Sequence, residues 1–147
     1  MPSEKHVTLE WREGQLFETM AQSGALIRFG DAPTYTGQDA GASPMEVLLM
    51  ALAACSAMDI LSILQKQRQK ITGFQIKVDG LRRDEHPKIY TDITATYIVT
   101  GYNVERAGVA RAVELSVTKY CSVSAMLAQS APIHTRIEVH EAGSEPA

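Results

Sequence analysis

The chain has two cysteines, Cys55 and Cys121, and they are its only sulfhydryls. Each sits in an apolar stretch with helical patterning: Val47-Leu-Leu-Met-Ala-Leu-Ala-Ala-Cys55 and Lys119-Tyr-Cys-Ser-Val-Ser-Ala-Met-Leu127. No histidine or second cysteine stands at ligand spacing beside either one, so the spacing gives no support to a zinc site. The plainer account of a free cysteine is a small buried hydrophobe. The chemical account is a thiol pair, distant in sequence, that meets in the folded chain.

Composition narrows the partners. A length of 147 residues with 45% hydrophobic and 21% charged residues is ordinary for one globular domain, 1–147, with a core. A net charge of −3 and a thin scatter of aromatics supply no basic stripe, which argues against nucleic acid. Met1-Pro-Ser-Glu-Lys-His6 shows no apolar signal region, so the expected compartment is cytoplasmic and structural disulfides are not expected there. The most apolar run, Val47 to Met58, is shorter than the roughly 20 residues of a bilayer span and reads as a helix buried in protein, with no membrane partner.

The elements that must position the thiols follow from periodicity. Val7 to Trp11, Gln15 to Met20 and Ala25 to Phe29 read as strands, with Arg12-Glu13-Gly14 as a tight turn. The stretch from Gly30 to Ala42 is longer than most connections and marks a candidate site rim. Ser43-Pro44-Met45-Glu46 is a helix start: Ser at the N-cap, Pro where its missing N–H costs nothing, Glu at the capping-box position. That helix is expected to run to about Lys70, with Cys55 near its middle.

Alternation in Phe74, Ile76 and Val78, and then in Ile89, Ile93, Tyr97 and Val99, predicts two strands with one buried face each. Asn103 can cap a second helix on which Val109, Val113, Val117 and Cys121 recur every four residues, placing Cys121 on the core stripe. Ile133, Ile137 and Val139 make a last strand, and 141–147 reads as a frayed tail. The order βββ-α-ββ-α-β is an α+β pattern.

Ser43-Pro-Met-Glu-Val-Leu-Leu-Met-Ala-Leu-Ala-Ala-Cys55, together with Lys119-Tyr-Cys121 on a second helix flanked by strands, resembles the OsmC/Ohr family. The Ser-Pro-Met-Glu start and Ser62-Ile-Leu-Gln-Lys66 are most similar to its YhfA-like branch. The resemblance implies an intertwined homodimer with strand-rich halves around two long central helices and the cysteines facing an interfacial pocket. It implies no metal and no bound cofactor. In its peroxidase members the first cysteine attacks an organic hydroperoxide and the second resolves the sulfenic acid. By that resemblance Cys55 is peroxidatic, Cys121 is resolving, and an external thiol is the reductant.

A thiolate is the nucleophile, and an ordinary cysteine with pKa near 8.5 is mostly protonated at neutral pH, so a cation is needed nearby. The peroxidase members use an arginine held by a glutamate directly after the proline. Here that place is Met45, and the acid is Glu46, which lies roughly 180° around the helix from Cys55. Glu46 equally serves the capping box. Arg12, in its Arg-acid-Gly context, and Arg28, in the strand before the long loop, are the candidate cations.

Asp59 falls one turn after Cys55 on the same face, where its charge opposes thiol ionisation unless it pairs elsewhere. His86, beside Pro87, and His134 and His140, in the last strand, read as loop and sheet-face residues, and Tyr120 reads as core packing. The alternative to an enzyme is a binding module of the same fold that takes a small apolar or reactive ligand at the dimer interface, with redox-sensing or merely packed cysteines.

Overall fold

The structure, a computed structural model, describes residues 2–30, 37 and 40–146. Its elements are β1 (Leu9–Glu13), β2 (Leu16–Met20), β3 (Leu26–Phe29), α1 (Pro44–Lys66), β4 (Lys70–Arg82), β5 (Tyr90–Tyr102), α2 (Arg106–Leu115), a π-helical turn (Ser116–Tyr120), α3 (Ser122–Leu127) and β6 (Ile133–Glu141). The chain is α+β, as its element pattern predicts. It divides into two compact units, Met1–Leu48 and Leu49–Ala147.

In the first unit, β1, β2 and β3 form an antiparallel meander with β2 in the centre. The β1–β2 turn pivots on Gly14, whose φ of +52° is the left-handed conformation that glycine adopts without strain. The indole N–H of Trp11 donates to the Gly14 carbonyl at 2.9 Å and closes the turn. Between β3 and α1 the long connection is pinned at its ends: Ala42 N–H donates to Arg28 O, and Gly30 N–H to Ala42 O. Most of the expected site rim, 31–36 and 38–39, lies outside the described residues.

In the second unit, β4 and β5 form a long antiparallel pair, and β6 adds to β5 in parallel, giving the order β4-β5-β6. Alternate residues of β5 (Ile93, Ala95, Tyr97, Val99) are buried on one face, which is the period of two read from the sequence. Ala95, Tyr97 and Val99 pack with Ile60 and Leu64 of α1 and with Val109, Ala112 and Val113 of α2 in one core cluster.

Helix α1 starts where its capping signal predicts. Ser43 Oγ accepts the Glu46 N–H at 3.5 Å, and Ser43 O accepts the Val47 N–H at 3.1 Å. It ends four residues before the expected Lys70, because Arg68 turns left-handed at φ +59°. Arg68 N–H then donates to Gln65 O and Gln69 N–H to Leu64 O, the paired bonds of a Schellman ending with arginine in the usual glycine place. The apolar run Val47 to Met58 therefore belongs to a helix of 23 residues, long and apolar enough by length and composition to cross a membrane. Its Leu52, Ser56, Ile60 and Leu64 are nonetheless buried against protein.

The second helix departs most from expectation. Asn103 does not cap it: Asn103 is left-handed at φ +52°, and Glu105 holds the N-cap position without a side-chain bond. The continuous helix expected through Cys121 is broken there. After α2 the chain widens into the π-helical turn, where Cys121 N–H donates to Ser116 O at 2.7 Å, five residues back. Cys121 itself is extended, at φ −76° and ψ 104°.

Candidate functional site

The buried stripe of α1 runs through Leu52, Ser56, Ile60 and Leu64, each four residues after the last. Cys55 and Asp59 sit one position before two of these residues, on the edge of the stripe, and both are half-buried. Helical spacing alone thus stacks the thiol and the carboxylate on one flank. Cys121 arrives from the break between the π-helical turn and α3, buried at 3% exposure. Cys55 Sγ, a carboxylate oxygen of Asp59 and Cys121 Sγ all lie within 4.8 Å of one another.

The break in the second helix is what aims Cys121. As N-cap of α3, its Sγ accepts the Ser124 N–H at 3.3 Å, a role more often filled by Ser, Thr, Asp or Asn. Ser116, where the π-helical turn begins, donates its buried hydroxyl to Asp59 Oδ2 at 3.1 Å. The same irregular turn therefore places the second sulfur and fixes the carboxylate opposite it.

Electrostatics separate the two thiols. Burial pushes the Cys121 thiol up to about 11, and the neighbouring Cys55 adds to the shift while the Ser124 N–H opposes it. Cys121 is a protonated thiol at neutral pH. Near it lies Tyr97 of β5, fully buried; burial raises its hydroxyl, the neighbouring Ser56 hydroxyl opposes the shift, and Cys121 adds to it. The Ser56 hydroxyl donates to Leu52 O and Ala53 O and leaves its oxygen facing the Tyr97 hydroxyl, though no hydrogen bond of good geometry forms between them. Ser124 Oγ is likewise buried, beside Cys121 Sγ, without a hydrogen bond of good geometry among the described residues.

The remaining residues singled out in the sequence fall elsewhere. Glu46 is exposed in the first turn of α1, where its N–H makes the capping bond. Arg12 lies in β1 of the first unit, ion-paired with Glu10 and Glu18 at 3.3 Å each. Arg28, in β3, is paired in register with Glu18 of β2. Asp59 has no cationic partner among the described residues; Ser116 is its hydrogen-bond donor. His134 meets Asp92 at 3.2 Å on an exposed strand edge. Tyr120 is not core: it is 52% exposed, with Lys119 Nζ over its ring at 5.1 Å.

Sequence reading missed Tyr97 and Ser116 as members of the site. Tyr97 looks like any other alternating strand residue, and only the buried phenol distinguishes it. Asp59 was visible as a neighbour of Cys55 but not as part of a three-donor set, since Cys121 enters that set only through the fold.

An α+β chain in which two sequence-distant cysteines meet beside the core sheet, one half-open and one buried, defines a thiol-pair protein. The family of OsmC-like proteins matches residues 37–136. Protein YhfA of Escherichia coli K12 is 42% identical over 131 residues, covering 89% of this chain and 95% of YhfA. A crystal structure of a hypothetical protein from Aquifex aeolicus VF5 superposes with a TM-score of 0.86 at 34% identity, over 97% of this chain and 100% of that one. The organic hydroperoxide resistance protein OhrB of Bacillus subtilis shares the fold at a TM-score of 0.55 and 18% identity, over 91% and 97% of the two chains. The chain belongs to the OsmC-like family, on its YhfA-like branch. Arg12 and Arg28 precede the matched segment, which contains Glu46 and both cysteines.

Proposed function

We propose that the protein is a cytoplasmic, cysteine-dependent peroxidase that reduces organic hydroperoxides in oxidative or osmotic stress. The observation that carries this reading is the meeting of its only two thiols within 4.8 Å, one half-exposed and one buried. Cys55, as thiolate, attacks the distal oxygen of ROOH; the O–O bond breaks, ROH leaves with one proton, and Cys55 becomes a sulfenic acid. Cys121 then attacks that sulfur, releasing water and forming the Cys55–Cys121 disulfide. Two equivalents of an external thiol restore both cysteines. The net change is ROOH plus two protein thiols to ROH, water and one disulfide.

The division of labour suits the geometry. The half-exposed sulfur meets substrate, and the buried one stays protonated until a sulfenic acid forms beside it. In this reading Arg12 or Arg28 supplies the cation for Cys55, and Glu46 assists or merely caps. Treating reduced protein with one equivalent of an organic hydroperoxide is expected to convert both thiols into a single intrachain disulfide by mass spectrometry. Cys121→Ser is expected to stop at a sulfenic acid on Cys55 that dimedone traps, and Cys55→Ser to consume no hydroperoxide. Hydroperoxide consumption by Cys55→Ser at the wild-type rate refutes the reading.

The same proposal includes a homodimer. On α1 and α3, Met50, Met58 and Met126 are 52%, 74% and 74% exposed, unusual for apolar residues on helices that also contribute to a core. A second copy that covers them explains the apolar character of α1 without a membrane. Light scattering at micromolar concentration is expected to give twice 16.1 kDa.

A second reading, a binding module for a small apolar ligand, is favoured by one feature of the first unit. Val7, Leu9, Phe17, Ile27, Phe29 and Pro44 line an apolar cleft of about 850 Å³, within the size range of small-molecule sites.

A further inference from the structure

Asp59 is ill-suited to a site built only to ionise a thiol. A carboxylate within 4.8 Å of both sulfurs opposes thiolate formation, and no cation among the described residues pairs with it. The same three atoms make chemical sense around a positive charge. We propose that Cys55, Asp59 and Cys121 form a binding site for a thiophilic divalent cation, with zinc as the reference ion and a fourth position left open.

The donor set is two sulfurs and one carboxylate oxygen, which zinc takes at about 2.3 Å and about 2.0–2.2 Å. Around a tetrahedral ion such donors stand somewhat under 4 Å apart, so a bound ion draws them together from their present separations of up to 4.8 Å. Cys55 and Asp59 have the i, i+4 spacing by which one helix chelates a metal. Asp59 takes the place that a neighbouring His or Cys holds in the common zinc motifs.

Two further features point to an occupant. Ser116 Oγ donates to Asp59 Oδ2 at 3.1 Å, the kind of outer contact that orients a ligating carboxylate. Tyr97 Oη and Ser124 Oγ are both buried and make no hydrogen bond of good geometry among the described residues, with Ser56 beside the first and Cys121 Sγ beside the second. Unpaired buried hydroxyls are costly. A thiolate or a metal-bound water on the open position gives them an acceptor. Binding displaces two thiol protons and needs no oxidant: Zn²⁺ and two S–H groups give two Zn–S bonds and two H⁺.

The test uses untagged full-length protein, reduced with a phosphine and stripped with chelator. One Co²⁺ per chain is expected to bind with a thiolate-to-cobalt charge-transfer band in the near ultraviolet, which surface histidines do not produce. Competition against a chromophoric chelator is expected to show zinc bound at least about tenfold more weakly by Asp59→Asn, a ligand loss at least as large as the loss of an outer-shell partner. Cys55→Ser and Cys121→Ser should each lose most of the band. Independently of any variant, one equivalent of Zn²⁺ but not Mg²⁺ should protect both thiols of the wild type from alkylation. Cobalt binding without the band, zinc affinity unchanged in Asp59→Asn, or failure of zinc to protect the thiols overturns the proposal.

Discussion

The two units of the chain each contain a three-stranded sheet, and they handle apolar surface in opposite ways. In β4-β5-β6, Ile93, Ala95, Tyr97 and Val99 are buried at 1% exposure or less, the last three packed with helical residues of their own unit. In β1-β2-β3, Leu16 alone among the described residues is buried, while Leu9, Trp11, Met20 and Leu26 are 46–66% exposed. The second unit contains both thiols, and the first contains the two candidate arginines. A sheet with a roof of its own can fix side chains to fractions of an ångström, which chemistry requires; a sheet with open apolar side chains is suited to being covered by something else.

The largest expected effect tests that contrast. Ile93→Ala should cost about 3 kcal/mol by chemical denaturation, the usual cost of emptying a packed site, and Leu26→Ala under about 0.5 kcal/mol if its sheet face is open in solution. Equal losses, with the Leu26→Ala loss shrinking on dilution as the copies separate, would show that a second copy covers the first sheet.

The arginines offer a sharper way to break the division. If the first unit lends charge to the thiols, Arg12→Gln or Arg28→Gln should slow iodoacetamide alkylation of Cys55 about tenfold near neutral pH, the effect of losing one adjacent cation. If neither variant changes the rate, the chemistry of the second unit is self-sufficient.

A pH profile isolates the buried sulfur. The thiol of Cys121 is raised from 9.0 to about 11 in the folded chain, so the native state holds its proton more tightly than the unfolded state. That contribution to stability is fully present below about pH 9 and is lost as pH rises towards 11. Wild type should therefore lose more stability than Cys121→Ser across this window in denaturant titrations. Parallel curves would mean that the thiol is not held as the structure places it.

Glu46→Gln should do least. Glutamine also fits the capping position, and Glu46 points away from Cys55 around the helix, so alkylation of Cys55 should change less than about threefold between pH 6 and 9. A larger drop would assign Glu46 to an arginine over the thiol.

Much of this architecture was legible residue by residue. The Ser43-Pro44 start of α1 is a local matter of capping and proline stereochemistry, and local chemistry decided it. The period of two in β5 fixed which residues enter the core, because every slip would have turned them to solvent. Even the pairing of Cys55 with Asp59 follows from four residues of helix. The stretch around Cys121 is different. Its four-residue repeat of Val109, Val113 and Val117 suggests an unbroken helix, and nothing local marks the widened turn at Ser116–Tyr120.

Only the tertiary structure decided that the chain breaks there. The break lets Ser116 reach Asp59 and lets Cys121 cap a new helix while its sulfur meets Cys55. Arg68 ending α1 in a glycine conformation is of the same kind, a local cost accepted because the core beneath Leu64 fixes where the helix must stop. Sequence determined which residues are able to do the chemistry, since residue type and short-range spacing are local properties. Contact between positions 55, 59, 97, 116 and 121 is set by packing among α1, β5 and the second helix, and no short stretch of sequence encodes that distance.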